Sequence, residues 1–162
     1  MARERRCRIY IPSGAIAGLD GLRAAAMGNI TSVRLTTRKP PLSLAGVPLV
    51  MEKKLDLLTL AAPVTIFEGP ASEAVRHFPV NLNVAASLSI AGIGPDATQV
   101  VVVADPHVER NIHEVEVSGD AGRFVVRMEN LPSPDNPHTS YIAPLSALAL
   151  LERITDVVQI GT

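Results

Sequence analysis

The segment Ala104-Asp105-Pro106-His107-Val108-Glu109-Arg110-Asn111-Ile112-His113-Glu114-Val115 gathers most of the side chains that could do chemistry. If residues 110–115 are extended, Asn111 and His113 project from the same sheet face, and Ile112 and Glu114 point the other way. A histidine beside an amide on a sheet face supplies acid/base chemistry next to a hydrogen-bonding anchor. An unperturbed imidazole titrates near ~6.5 and accepts a proton at neutral pH. His107 follows Pro106 at a bend, so its direction is set by a turn, whereas strand neighbours fix the rotamer of His113. The same residues also read as an ordinary surface strand with scattered polar side chains.

The elements that must position this segment are legible from periodicity. Thr98 to Ala104 is a strongly apolar strand of the fully buried type. Asn111 to Ser118 and Arg123 to Glu129 read as two further strands, with Gly119-Asp120-Ala121-Gly122 as a hairpin signal. Upstream, Arg8 to Pro12 reads as a short strand, Gly18 to Met27 as a helix, and Ile30 to Thr37 as a strand rich in Val and Thr. Arg38 to Pro48 reads as a proline-rich connection, and Met51 to Leu60 as a loop or short helix. Val64 to Glu68 is a strand, Ala71 to His77 a helix ended by Pro79, and Asn83 to Ile93 a helix of small residues. Leu131 to His138 is a polar loop, Tyr141 to Ile154 an amphipathic helix with Ser140 near its N-cap, and Val157 to Ile160 a last short strand. The order predicts an α+β domain with a mixed, mostly antiparallel sheet and helices on one face.

Composition narrows the function classes. The chain has 162 residues, 47% hydrophobic and 19% charged, which suits one globular domain with a substantial core. Aromatics are 3% and Trp is absent, so a base-stacking nucleic-acid surface is not expected. The net charge of −1 also argues against a polyanion partner. The basic cluster within residues 1–7 reads as a solvated tail, and residues 8–162 as the domain. Cys7 stands alone, so no intramolecular disulfide or Cys-based zinc site forms, and no metal site is expected. It precedes an apolar run and reads as a buried, inert thiol. No apolar run approaches the ~20 residues of a membrane span, and no signal peptide is seen, so a cytoplasmic setting is the expectation. No Walker sequence or dinucleotide fingerprint occurs. The turn Ser13-Gly14-Ala15-Ile16-Ala17-Gly18 lies between a strand and a helix, where backbone N–H groups could face a ligand.

The strings IYIPSGAIAGLDGL, TTRKPP, EGPASEAVRHFPVNLNVAASL, VVVADPHVERNIHEVEVSGDAGRF and NPHTS occur in this order. Together they resemble the C-terminal domain of the L-aspartate dehydrogenase family over nearly the whole chain. The resemblance implies a two-part enzyme. An N-terminal Rossmann domain binds NAD or NADP, and the C-terminal α+β domain supplies the substrate pocket and a dimer interface. It implies oxidation of L-aspartate to iminoaspartate, which hydrolyses to oxaloacetate and ammonia or feeds NAD biosynthesis. The family's active-site histidine matches His113 in RNIHEVEV. The asparagine on the nicotinamide side of the cofactor matches Asn83, and the cofactor-touching alanine of the SGAI turn matches Ala17, or else Ala15. His138 stands where relatives often carry a Lys.

Two substrate carboxylates need cationic or N–H donors. Arg38 and Lys39 are candidates, with Thr36, Thr37, Thr139 and Ser140 as hydroxyl donors. Arg38 could grip a carboxylate with two parallel bonds, whereas Lys39 offers a point charge. Both also read as solvated loop charges before Pro40-Pro41. Residues 1–6 stand almost directly before the strand leading to SGAI. A Rossmann domain is therefore expected as a separate subunit, or as lost by truncation or by a change of role. The alternative to an enzyme half is a non-catalytic ligand-binding or oligomerisation module. A homodimer is expected, because Val101, Val103, Val115, Val117, Val125 and Met128 offer more apolar surface than one helical layer covers.

Overall fold

The computed structural model describes residues 4–78, 83–136 and 139–161. Five strands, β1 (Ile30–Lys39), β2 (Val64–Pro70), β3 (Thr98–Ala104), β4 (Asn111–Gly119) and β5 (Gly122–Asn130), form one sheet in the order β2-β3-β1-β4-β5. β1 and β3 pair in parallel, and every other neighbouring pair is antiparallel. The expected mixed, mostly antiparallel α+β architecture is what the chain forms. The helices are α1 (Leu19–Ala25), α2 (Pro48–Glu52), α3 (Ala71–His77), α4 (Asn83–Ala91) and α5 (Ile142–Thr155).

Strand alternation decides which residues meet the helices. Val33 and Leu35 of β1 lie opposite Val117 and Val115 of β4, Leu35 also lies beside Val100 of β3, and all five are buried. They form one core with Leu22 of α1, Val50 of α2, Ala74 of α3, and Ala85 and Leu88 of α4. The opposite face carries Arg34, Arg38, Glu114, Glu116, Arg123 and Arg127, tied into ion pairs such as Arg123–Glu116 at 3.1 Å. Exposed pairs of this kind contribute at most about 1 kcal/mol each.

Alternation also corrects the apolar face expected from the sequence. Val115, Val117 and Met128 belong to the helix-covered side, whereas Val101, Val103 and Val125 belong to the charged side. The six residues form no single bare patch. Residues 8–12 and 157–160, expected as strands, are not strands, and Ile9, Val157 and Ile160 are largely exposed. Neither segment has a ladder partner among the described residues, and apolar side chains alone do not make a strand. Cys7 is exposed for the same reason, contrary to the buried thiol expected. The connection expected from Arg38 begins two residues later, because β1 continues through Lys39 alongside β3. α5 has Tyr141 at its N-cap without a side-chain cap, so Ser140 does not serve as one. Pro144 falls in the first turn of α5, where a missing N–H costs no helix bond. Among the described residues no helix is long and apolar enough to cross a membrane.

The two faces predict different sensitivities to truncation. Leu35→Ala should cost about 2–5 kcal/mol, because a fully buried side chain leaves a cavity. Val125→Ala on the charged face should stay within about 0.5 kcal/mol. Urea unfolding midpoints check this, and equal losses would show that the face assignment is wrong.

Candidate active site

Four chain segments converge at one end of the sheet. β1 ends there at Lys39, β3 ends at Ala104 before Asp105, β4 starts at Asn111, and β5 ends at Asn130. The Asp105 N–H donates to the Lys39 carbonyl at 2.9 Å, which keeps the two parallel strand ends together. Asp105 Oδ1 accepts from the His107 N–H at 2.9 Å and so shapes the bend that carries His107 outward.

His113 projects from β4 on the helix-covered face, directly opposite Thr37 of β1 and Met128 of β5. It is 4% exposed, and Thr37 is fully buried. Thr37 Oγ1 lies 3.1 Å from His113 Nδ1. Lys39, two residues along β1 and on the same face, is 5% exposed. Burial lowers its pKa, because a dry environment penalises the ammonium. Burial, and then the positive charge of Lys39, push His113 down from 6.5 to about 4. The imidazole is therefore neutral at physiological pH. This corrects the expectation of a base titrating near ~6.5.

The two expected cations separate. Arg38 is turned to the opposite face and pairs with the buried Asp105 carboxylate at 3.4 Å. It does not join Lys39 and His113. Lys39 is not the solvated loop charge of the alternative reading, because the strand carries it into the interior.

A buried amide ties in the Ser13–Gly18 turn. Asn130, opposite Asn111 in the β4–β5 register, donates from Nδ2 to the Ala15 carbonyl at 2.8 Å. The Gly14 N–H donates to Ser146 Oγ of α5 at 3.0 Å. Gly18 ends the turn at φ +80°, and a Cβ there would stand 2.8 Å from Val126 Cγ2, so only glycine fits. Ala17 lines a cleft of about 910 Å³ between this turn, α4 and α5, along with Ser87, Ala91 and Leu150. Asn83 is exposed at the start of α4, one turn before Ser87. Thr139 is half-buried in a turn whose carbonyl accepts from the Ser133 N–H at 2.7 Å. Thus His113, Thr37 and Lys39 form one cluster, Ala17 lies in the cleft wall, Asn83 is exposed at the start of α4, and Thr139 lies on the segment after β5. Pro79 and His138 lie outside the described residues. Asn130 escaped the sequence reading, because an Asn at a strand end looks like any turn residue until the strands are paired. The described residues hold no His, Cys, Asp and Glu cluster suited to a metal ion.

The depressed histidine pKa has a consequence for stability. The unfolded chain takes up this proton near 6.5, while the folded chain resists it down to about 4. The stabilising contribution is complete above pH 6.5 and declines as pH falls toward 4, by roughly 3 kcal/mol in all. His113→Gln should flatten the stability profile across that window. Superimposable profiles for the two proteins would refute the assignment.

The aspartate dehydrogenase C-terminal family model matches residues 20–154. The L-aspartate dehydrogenase of Methanosarcina acetivorans is 54% identical over 162 residues, covering 100% of this chain and 60% of that protein. The L-aspartate dehydrogenase of Bradyrhizobium diazoefficiens is 47% identical over the whole chain, which covers 58% of it. The crystal structure of aspartate dehydrogenase from Thermotoga maritima superposes with a TM-score of 0.78 at 32% identity, over 98% of this chain and 62% of that one. The chain thus spans about 60% of the length of the relatives it matches. It belongs to the aspartate dehydrogenase family and corresponds to its C-terminal domain.

Proposed function

We propose that this chain is the substrate-side half of an enzyme that oxidises L-aspartate to iminoaspartate with NAD or NADP. The observation that carries the reading is the buried Thr37–His113–Lys39 cluster on the covered face of the sheet. A Lys and a His desolvated side by side are costly to a fold and suit an anionic small molecule. The names of the relatives and of the superposed structure support aspartate as that molecule.

Each residue has a distinct task in this reading. Lys39 meets a substrate carboxylate, whose negative charge offsets the cost of the buried ammonium. The Thr139 hydroxyl lies on the segment beyond β5 and serves as a further donor. His113, held rigidly in the strand, holds or passes a proton at the reacting centre. Asn83 and Ala17 fit the nicotinamide end of the cofactor: the exposed amide offers both a donor and an acceptor, and the small side chain leaves room at the cleft wall. Bound NAD or NADP supplies the hydride acceptor. The adenosine end needs a Rossmann unit, supplied by another segment or subunit, and that unit sets the choice between NAD and NADP. A homodimer and a role in pyridine nucleotide biosynthesis belong to the same reading.

Aspartate-dependent NADH or NADPH formation tests it, with the chain alone and with a separately supplied Rossmann unit. His113→Ala should abolish turnover without unfolding the chain. His107→Ala should cost less than about tenfold, or ~1.4 kcal/mol of barrier. The reverse order would show that the reacting centre lies at His107. Calorimetric binding of aspartate without turnover under either condition would overturn the enzyme reading in favour of a binding module.

A further inference from the structure

We infer that Thr37 is a positioning residue that fixes the tautomer of His113, so that the neutral ring presents an Nε2–H donor rather than a lone pair to the bound substrate. The inference rests on the reading of His113 as the group at the reacting centre.

The argument is one of hydrogen-bond satisfaction. Thr37 is fully buried, and among the described residues its hydroxyl has one partner, His113 Nδ1 at 3.1 Å. A threonine hydroxyl carries one proton, and burying that proton without an acceptor is costly. If Nδ1 carried the imidazole hydrogen, both groups would present a proton to the single contact. The ring N–H would take the Thr37 oxygen, and the hydroxyl proton would be left without an acceptor in a dry interior. If the hydroxyl donates to the Nδ1 lone pair, this contact is satisfied from both sides, and the ring hydrogen sits on Nε2, where it is left to meet a ligand. The β1–β4 register enforces this contact, since Thr37 and His113 are direct cross-strand partners.

The charged neighbour favours the same neutral state. Lys39 is the next residue of β1 on this face, and its ammonium opposes a second positive charge on the ring. Across the sheet His113 faces Met128 of β5, which does not ionise. A neutral ring with Nε2–H is suited to donating to an anionic oxygen: a substrate carboxylate, or the oxygen that develops when water adds to the imine carbon. In this protonation state the ring cannot also accept the ammonium proton of the substrate at Nε2. Proton removal then falls to another group or to water.

Long-range ¹H–¹⁵N correlation spectra of the uniformly ¹⁵N-labelled chain at pH 7 test this without substrate or cofactor. The expected result is a single His113 tautomer protonated at Nε2, with an exchange-protected Thr37 hydroxyl proton correlated to Nδ1. Thr37→Val should release the ring to populate both tautomers, and Thr37→Ser should restore the single one. An Nδ1–H tautomer in the unmodified chain would overturn the inference, as would a Thr37→Val ring that stays wholly in the Nε2–H form. If Thr37→Val fails to fold, the unmodified chain and Thr37→Ser decide. Because the readout is independent of turnover, absent aspartate oxidation would leave the inference standing. Conversely, an Nδ1–H ring would leave the aspartate reading intact and return the role of base to His113.

Discussion

A slip of one residue between β1 and β4 would carry Thr37 and Lys39 to the charged face and leave His113 opposite Arg38 or Thr36. The site therefore depends on a register, and the register is held by features far from the site. At the other end of the same strand pair, the N–H of Asp120, in the β4–β5 turn, donates to the Asn29 carbonyl at 3.0 Å. A Cβ on Gly119 would lie 2.4 Å from that carbonyl, so glycine lets the chain before β1 close against the hairpin. Between the two ends, Val33, Leu35, Val115 and Val117 bury their side chains together, and any slip would expose them.

The two faces of the sheet put charge to opposite uses. On the outer face Arg34, Arg123 and Arg127 pair with glutamates that keep much of their hydration, and such pairs add little stability. On the inner face an ammonium and an imidazole lie nearly out of water, and both are pushed toward their neutral forms. A fold shaped for stability alone would place aliphatic side chains there, as it does one and two pairs further along β1 at Leu35 and Val33. The cost is concentrated at the end of the sheet where the Ser13–Gly18 turn and the segment after β5 also arrive. Ionisable groups and a tethered turn thus occur together, which separates this region from the rest of the core.

Most of the fold was legible in the sequence, because the periodicities of β1, β3, β4, β5, α1, α3 and α4 are local properties. The failures share one cause. Residues 8–12 and 157–160 have strand-like composition, but pairing is not local, and neither finds a ladder. The end of β1 was misplaced because Arg38, Lys39 and the prolines after them look like loop chemistry. The parallel partner β3 overrides that signal through residue 39. In the site, His113 was visible from its own segment and from the family motif. Its contact with Thr37 was not, because it joins residues 76 positions apart. The divergence of Arg38 from Lys39 follows from alternation along a strand, but only once the strand is known to continue.

In the proposed function the buried ammonium also links ligand binding to stability. Lys39 loses hydration on folding, and its pKa falls accordingly. A carboxylate arriving beside it would restore part of the lost stabilisation, and this gain would be available only to the folded state. The neutral His113 adds an N–H donor to the same anion without adding a second positive charge to be desolvated. One charged group and one neutral donor are less costly to keep in an empty site than two cations would be. In the proposed function the same pair favours an anion over a neutral analogue, since an anion is attracted by the Lys39 ammonium and a neutral analogue is not. Arg38, paired with Asp105 on the other face, is kept from making the inner site more strongly cationic. Strand alternation thus limits both the cost of the unliganded fold and the kind of molecule the site receives.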